Sequence, residues 1–164
     1  METNRLIIRE STFADCSFFA EWEVRPEVNE FFTIDDDRDY EQIVTEFIER
    51  KNDPTQLQFT ICLKPEGKPI GRIYIADPSL RNQGYGEEAL RKILEYAFIN
   101  LHMERVTLDH FLKNKPAAYL YTKVGFKDEG IMRSGGKKNG RYIDLQLKSM
   151  IRAEYLNSTR HLDD

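Results

Sequence analysis

Six residues near the middle of the chain, Arg81-Asn82-Gln83-Gly84-Tyr85-Gly86, have the types and spacing to hold a phosphate. Glycines let the backbone turn tightly and bring its N–H groups close to a ligand. The helix expected after Gly86 adds the amides of its first turn and the positive end of its dipole. Arg81 precedes the glycines, where a cation helps to hold an anion. A pyrophosphate cradle is one reading of this loop; a glycine turn that simply starts a helix is the other. Two other phosphate loops are excluded. Position 89 is Ala89, not the third glycine of a dinucleotide fingerprint, and no Gly-Lys-Ser/Thr follows to make a P-loop.

A second stretch runs Asn114-Lys115-Pro116-Ala117-Ala118-Tyr119-Leu120-Tyr121-Thr122-Lys123-Val124-Gly125-Phe126. Asn114 caps a helix with Pro116 close behind, and Gly125 ends it. Ala117, Leu120, Tyr121 and Val124 share the inner face, whereas Tyr119 points to surface or packing. Other chemistry-bearing residues are sparse. His102, His110 and His161 lack metal-ligand spacing and read as surface or loop histidines, so no metal is expected. Cys16 and Cys62 make neither a disulfide framework nor a metal cluster and read as packing residues.

Hydrophobic periodicity supplies the elements that position these residues. Leu6 to Arg9 reads as a first strand, and Thr12 with Asp15 as a capping box opening a helix with Phe18, Phe19 and Trp22 on one face. Pro26 ends or redirects that helix. Tyr40, Ile43, Val44, Phe47 and Ile48 form a second helical stripe, stopped by Asn52-Asp53-Pro54. Leu57–Leu63 alternates as a half-buried strand, Pro65 to Pro69 is turn chemistry, and Ile70–Ala76 is a further strand. Leu90, Ile93, Leu94, Ala97, Phe98 and Leu101 give the longest helical stripe. Val106–Leu108, Phe126–Met132 and Arg141–Ile151 read as strands, the last two flanking a loop from Ser134 to Gly140. The tail after Tyr155 reads as frayed. One α+β domain follows.

Composition bounds the function. The chain has 164 residues, enough for one domain with a real core, and its 32% of charged residues with 40% hydrophobic ones suits a folded chain. A formal charge of −4 gives no global basic field for nucleic acid and no pull toward a membrane surface. The N-terminus lacks a signal-peptide core, and no apolar run approaches the roughly 20 residues that span a bilayer. A cytoplasmic protein is the default.

The two patterns R-x-x-G-x-G and N-x-x-A-x-x-x-Y-x-x-x-G-F, in this order, resemble motifs A and B of the GNAT N-acetyltransferases. Asp77-Pro78-Ser79-Leu80-Arg81 resembles the lead-in common there. Glu129-Gly130 and the later Gly140-Arg141-Tyr142-Ile143-Asp144 are similar to the branch with ribosomal-protein and spermidine acetyltransferases. The likeness is good over residues 70–151 and looser before. It implies a single domain over 1–164, with acceptor-side helices in 1–56 and an acetyl-CoA-binding core in 57–155. The implied fold is a mixed, mostly antiparallel sheet flanked by helices.

The resemblance also implies roles. Backbone groups of Tyr74, Ile75 and Ala76 would pair with the pantetheine arm like an added strand. Arg81, Asn82, Gln83, Gly84, Tyr85, Gly86 and Glu87 would hold the pyrophosphate of acetyl-CoA, and Asn114 the pantetheine or a bound water. Tyr121 would protonate the leaving thiolate after direct attack by an amine. Tyrosine, with a pKa of about 10, holds its proton at neutral pH; packing at the helix–sheet interface is the other role open to it. Asp109 is a candidate base, although a solvated strand-end acid is the simpler reading.

Between Glu27 and Asp53 stand ten acids against three bases, in the region that lies beside the acceptor pocket in the family. Asp35-Asp36-Asp37 could thus draw in a cationic amine, small or peptidic; a solvated loop is the alternative. One departure from the family pattern concerns the sheet. Only Leu57–Leu63 and Ile70–Ala76 fit before Asp77 where three meander strands are usual, so one strand is expected to be missing. Exchange between protomers of a homodimer is one way to supply its pairing. A protein that binds the cofactor with weak or no catalysis is the alternative reading.

Overall fold

Alternating burial along Leu6, Ile7 and Ile8 makes β1 (Leu6–Glu10), with Leu6 and Ile8 fully inside. The computed structural model describes residues 1–30, 32, 35–53, 56–72 and 82–160. The chain divides into two compact units, Met1–Leu90 and Arg91–Asp164.

In the first unit β1 pairs antiparallel with β2 (Phe59–Leu63), and β2 with β3 (Lys68–Gly71), in the order β1-β2-β3. A 3₁₀ turn, Phe13–Asp15, leads into α1 (Cys16–Glu23), followed by α2 (Pro26–Asn29) and α3 (Tyr40–Asn52). Cys16, Phe19, Trp22, Val28, Ile43 and Phe47 close into one core, with the Phe19 ring 6.0 Å from Trp22 and 6.2 Å from Phe47. Proline opens α2 at its first turn, which redirects the chain as expected.

The start of α1 is fixed by a polar knot. Asp15, almost fully buried, accepts from Thr12 N at 2.7 Å and from both Arg9 guanidinium nitrogens at 2.7 Å. Its carboxylate also takes the Thr60 hydroxyl at 3.1 Å, which lies 2.9 Å from the Ser11 hydroxyl. These bonds explain why Thr60 can be completely buried in β2. The half-buried reading of that strand is corrected: Thr60, Ile61 and Cys62 are all inside, so side chains on both faces of β2 are covered. The strand begins at Phe59, and Leu57 is half-exposed. Of the expected strand over Ile70–Ala76, Ile70 and Gly71 lie in β3, which starts two residues earlier, and Arg72 follows its end; positions 73–81 lie outside the described residues, and the question of a missing strand falls there.

α4 (Tyr85–Glu95) crosses from one unit into the other. It continues as a π turn, Tyr96–Asn100, in which the Leu101 N–H donates to the Tyr96 carbonyl at 3.0 Å. That widened turn rotates the stripe: Ala97 and Phe98 stay buried, but Leu101 turns outward. In the second unit β4 (Arg105–Phe111), β5 (Lys127–Lys138) and β6 (Arg141–Ile151) pair antiparallel in the order β4-β6-β5, with α5 (Lys115–Val124) between β4 and β5 in sequence. β4 is longer than the Val106–Leu108 reading.

The expected loop from Ser134 to Gly140 is instead strand as far as Lys138. The ladder is irregular between Met132 and Gly136, and Lys138 faces Arg141 across a two-residue turn. Asn139 (φ 48°) and Gly140 (φ 73°) both take the left-handed conformation that a tight hairpin requires. The tail is α6 (Arg152–Arg160), not a frayed end. Tyr155 stacks on Phe98 with ring centroids 5.0 Å apart, and Arg152 Nε donates to the Phe98 carbonyl at 3.1 Å. No helix among the described residues is long and apolar enough to cross a membrane.

Candidate active site

Asn82, Gln83 and Gly84 form an exposed turn into α4, with φ of 60° at Asn82 and 82° at Gly84. The Glu88 N–H donates to the Gly84 carbonyl at 3.0 Å and closes the first helical turn. In any α-helix the amides of that first turn point out of its N-terminal end. Gly86 sits in this turn, where its missing side chain leaves the backbone approachable. A Cβ on Gly84 would stand 3.4 Å from Arg5 Nη2 in a backbone conformation that side chains rarely adopt. Exposed backbone, a helix N-terminus and a neighbouring cation suit the diphosphate of acetyl-CoA.

Arg5, just ahead of β1, was not legible as part of this loop. Its Nη1 donates to the Gln83 carbonyl at 2.9 Å, its Nη2 lies 2.6 Å from Glu88 Oε2, and its Nε donates to the same oxygen at 2.7 Å. The guanidinium carbon rests 4.3 Å from the centroid of the Tyr85 ring. The Arg5 backbone N–H and the Thr3 hydroxyl both donate to Glu88 Oε1. Burial pushes the Glu88 carboxyl up, but the bonds from Thr3 and Arg5 outweigh it and hold it below the ordinary range. Tyr74, Ile75, Ala76 and Arg81 lie outside the described residues.

In the second unit Asn114 caps α5 as expected, its Oδ1 accepting from Ala117 N at 3.1 Å. Gly125 closes the helix, donating to the Tyr121 and Thr122 carbonyls. Tyr121 is largely buried on the inner face. Its ring lies 5.7 Å from His110 and 6.1 Å edge-on from Phe126. Burial first, and the charge of Asp109 second, push its phenol above the ordinary tyrosine value. Tyr119 is 71% exposed, which leaves it outside this packing.

His110 is buried on β4, against the expectation of a surface histidine, because the strand runs past Leu108. Its Nδ1 lies 2.9 Å from the Phe111 carbonyl. His102 is exposed, and His161 lies outside the described residues. Lys148 on β6 is buried beside Asp128, 2.8 Å away, and donates to the Thr122 hydroxyl at 3.0 Å. Cys16 and Cys62 are buried and free, with burial pushing both thiols up, as packing residues should be. Among the described residues no cluster of His, Cys, Asp and Glu could hold a metal ion.

The acidic stretch lies in the first unit. Asp35, Asp36 and Asp37 are exposed, and Asn29 donates to Asp36 at 2.9 Å. All three bases of the stretch are engaged with carboxylates: Arg38 with Glu23 and Glu46, Arg50 with Glu46, and Lys51 with Glu10. Glu23 is buried and also meets Arg72 at 2.8 Å. Burial raises its carboxyl, and the two arginines only partly offset that.

Each unit thus contributes a helix and an antiparallel sheet, one helix entered through a glycine turn and the other capped and carrying a largely buried tyrosine. Residues 5–127 match the family model of the acetyltransferase (GNAT) domain, and the chain belongs to the GNAT acetyltransferase family. The uncharacterized N-acetyltransferase p20 of Bacillus licheniformis is 27% identical over 172 residues, covering 93% of this chain and 96% of that protein. The spermidine N(1)-acetyltransferase of Vibrio cholerae is 29% identical over 83 residues, 51% of this chain and 48% of that protein. The crystal structure of spermidine N-acetyltransferase from Vibrio cholerae with CoA and spermine matches with a TM-score of 0.82 at 19% identity. That match covers 94% of this chain and all of the other, and establishes likeness of fold. The protein is an acetyl-CoA-dependent N-acetyltransferase.

Proposed function

We propose that the acceptor is a primary amine on a cationic small molecule, a polyamine first, acetylated by direct attack of the neutral amine. The observation that carries this reading is the acidic stretch from Glu27 to Asp53, whose three bases are all engaged with carboxylates while Asp35, Asp36 and Asp37 face solvent. Such a field raises the local concentration of a polycation. The match to a spermidine acetyltransferase supports the same acceptor class. Thiol release from acetyl-CoA, measured with spermidine and with a neutral monoamine of similar length, tests it. Spermidine should show the lower KM, rising with salt; equal KM values at low salt would reject the cationic acceptor.

In this reading Asn82 to Glu87 hold the diphosphate together with Arg81, and backbone groups of Tyr74 to Ala76 pair with the pantetheine arm. Asn114, while capping α5, lies at the pantetheine, and Tyr121 gives its proton to the departing thiolate. Both units work as one domain, which the continuous family match across Leu90 supports. The protein works in the cytoplasm. A homodimer with exchanged strands is the assembly to test by light scattering, and a clean monomer removes it.

A further inference from the structure

We propose that Arg5 is a positioning residue of the phosphate turn, pinning the Gln83 carbonyl and masking the Glu88 carboxylate so that a diphosphate can settle at the N-terminus of α4. The proposal rests on the cradle reading given above. Glu87 and Glu88 both stand in the first turn of α4. Acids there suit the helix dipole of the free protein, yet they oppose a dianionic ligand at the same place. A cradle of this sequence therefore needs something to cancel a carboxylate without occupying the anion's seat.

Arg5 meets that need through several contacts at once. It spends two nitrogens on one Glu88 oxygen and a third on the Gln83 carbonyl, and its guanidinium carbon sits over the Tyr85 ring. Thr3 and the Arg5 backbone amide take the other Glu88 oxygen, so both carboxylate oxygens are turned toward the segment before β1. The same contacts tie Gln83 and Tyr85, on either side of Gly84, to that segment, with Arg5 Nη2 at van der Waals distance from where a Gly84 side chain would begin. A lysine cannot reproduce the fork, because it lacks the planar set of donors.

The test is steady-state kinetics with two donors, acetyl-CoA and S-acetylpantetheine, which lacks the diphosphate. Wild type is compared with Arg5→Ala, Arg5→Lys, Glu88→Gln and the double variant Arg5→Ala/Glu88→Gln. Arg5→Ala should raise the acetyl-CoA KM roughly tenfold, the scale of one lost charge-assisted contact, with kcat little moved. Its KM for S-acetylpantetheine should not change. Arg5→Lys should recover only part of the loss. Adding Glu88→Gln to Arg5→Ala should restore part of the acetyl-CoA KM, since no bare carboxylate is left, an outcome that general loosening of the fold does not produce. Equal loss for both donors in Arg5→Ala, or a double variant worse than Arg5→Ala, would overturn the proposal. A wild-type preference for acetyl-CoA that survives Arg5→Ala removes Arg5 alone. Equal KM values for the two donors in the wild type would remove the cradle itself.

Discussion

Tyr121 is held in its protonated form by two effects that add, burial between His110 and Phe126 and the nearby charge of Asp109. The proposed role as acid for the departing thiolate predicts that Tyr121→Phe lowers kcat by about 10²-fold and leaves the acetyl-CoA KM nearly unchanged. Equal turnover would reduce Tyr121 to packing. Because the phenol titrates above its ordinary value of about 10, no loss of kcat below that pH should come from its ionisation. A descending limb below pH 10 that disappears in Tyr121→Phe would contradict this. Gly84→Glu should abolish acetyl-CoA binding by calorimetry, since it forces a side chain into a positive-φ site beside Arg5 and adds charge; retained affinity would sink the cradle. The turn at Gly84, the cap at Asn114 and the inner-face position of Tyr121 were legible because each belongs to a pattern local in sequence. Arg5 was not, because its partner Glu88 lies 83 positions away and no periodicity links them.

At the scale of elements, hydrophobic periodicity and one capping box carried most of what sequence could give. Thr12 with Asp15 caps the 3₁₀ turn that leads into α1, and the structure adds Arg9 and Thr60 as partners that spacing could not reveal. Burial alone would raise the Asp15 carboxyl, but the Arg9 guanidinium and the Thr12 bonds hold it below the ordinary range. A depressed native value means stability that is present above the unfolded pKa near 4 and lost as pH falls through the native one. Asp15→Asn should therefore cost about 2–3 kcal/mol at neutral pH in denaturant melts, with the gap to wild type closing in acid. A constant gap down to pH 2 would show that the charge is not what matters. The β5–β6 turn and α6 escaped for different reasons. Gly135, Gly136 and the lysines around them disguised an extended strand as a loop, although Asn139-Gly140 is the stronger turn signal. Asn157, Ser158 and Thr159 are weak helix formers, and it is the packing of Tyr155 on Phe98 that supports α6.

Over the whole molecule, a net charge of −4 hides a concentration of acid in the 27 residues from Glu27 to Asp53. Its three bases are tied to Glu10, Glu23 and Glu46, and ten acids against three bases leave the segment strongly negative. Raising ionic strength should weaken a polycationic acceptor more than acetyl-CoA itself, which would be seen as a KM for spermidine that climbs between 50 mM and 500 mM salt while that for acetyl-CoA moves less. Acetyl-CoA-dependent transfer to an amine is the central claim, and the most direct measurement follows thiol release and acetylated amine together, by mass spectrometry, with spermidine as acceptor. The account predicts thiol release that requires the amine, saturates with it and yields one acetylamine per thiol. Thiol release that no amine accelerates, from polyamine to peptide N-terminus, would contradict it.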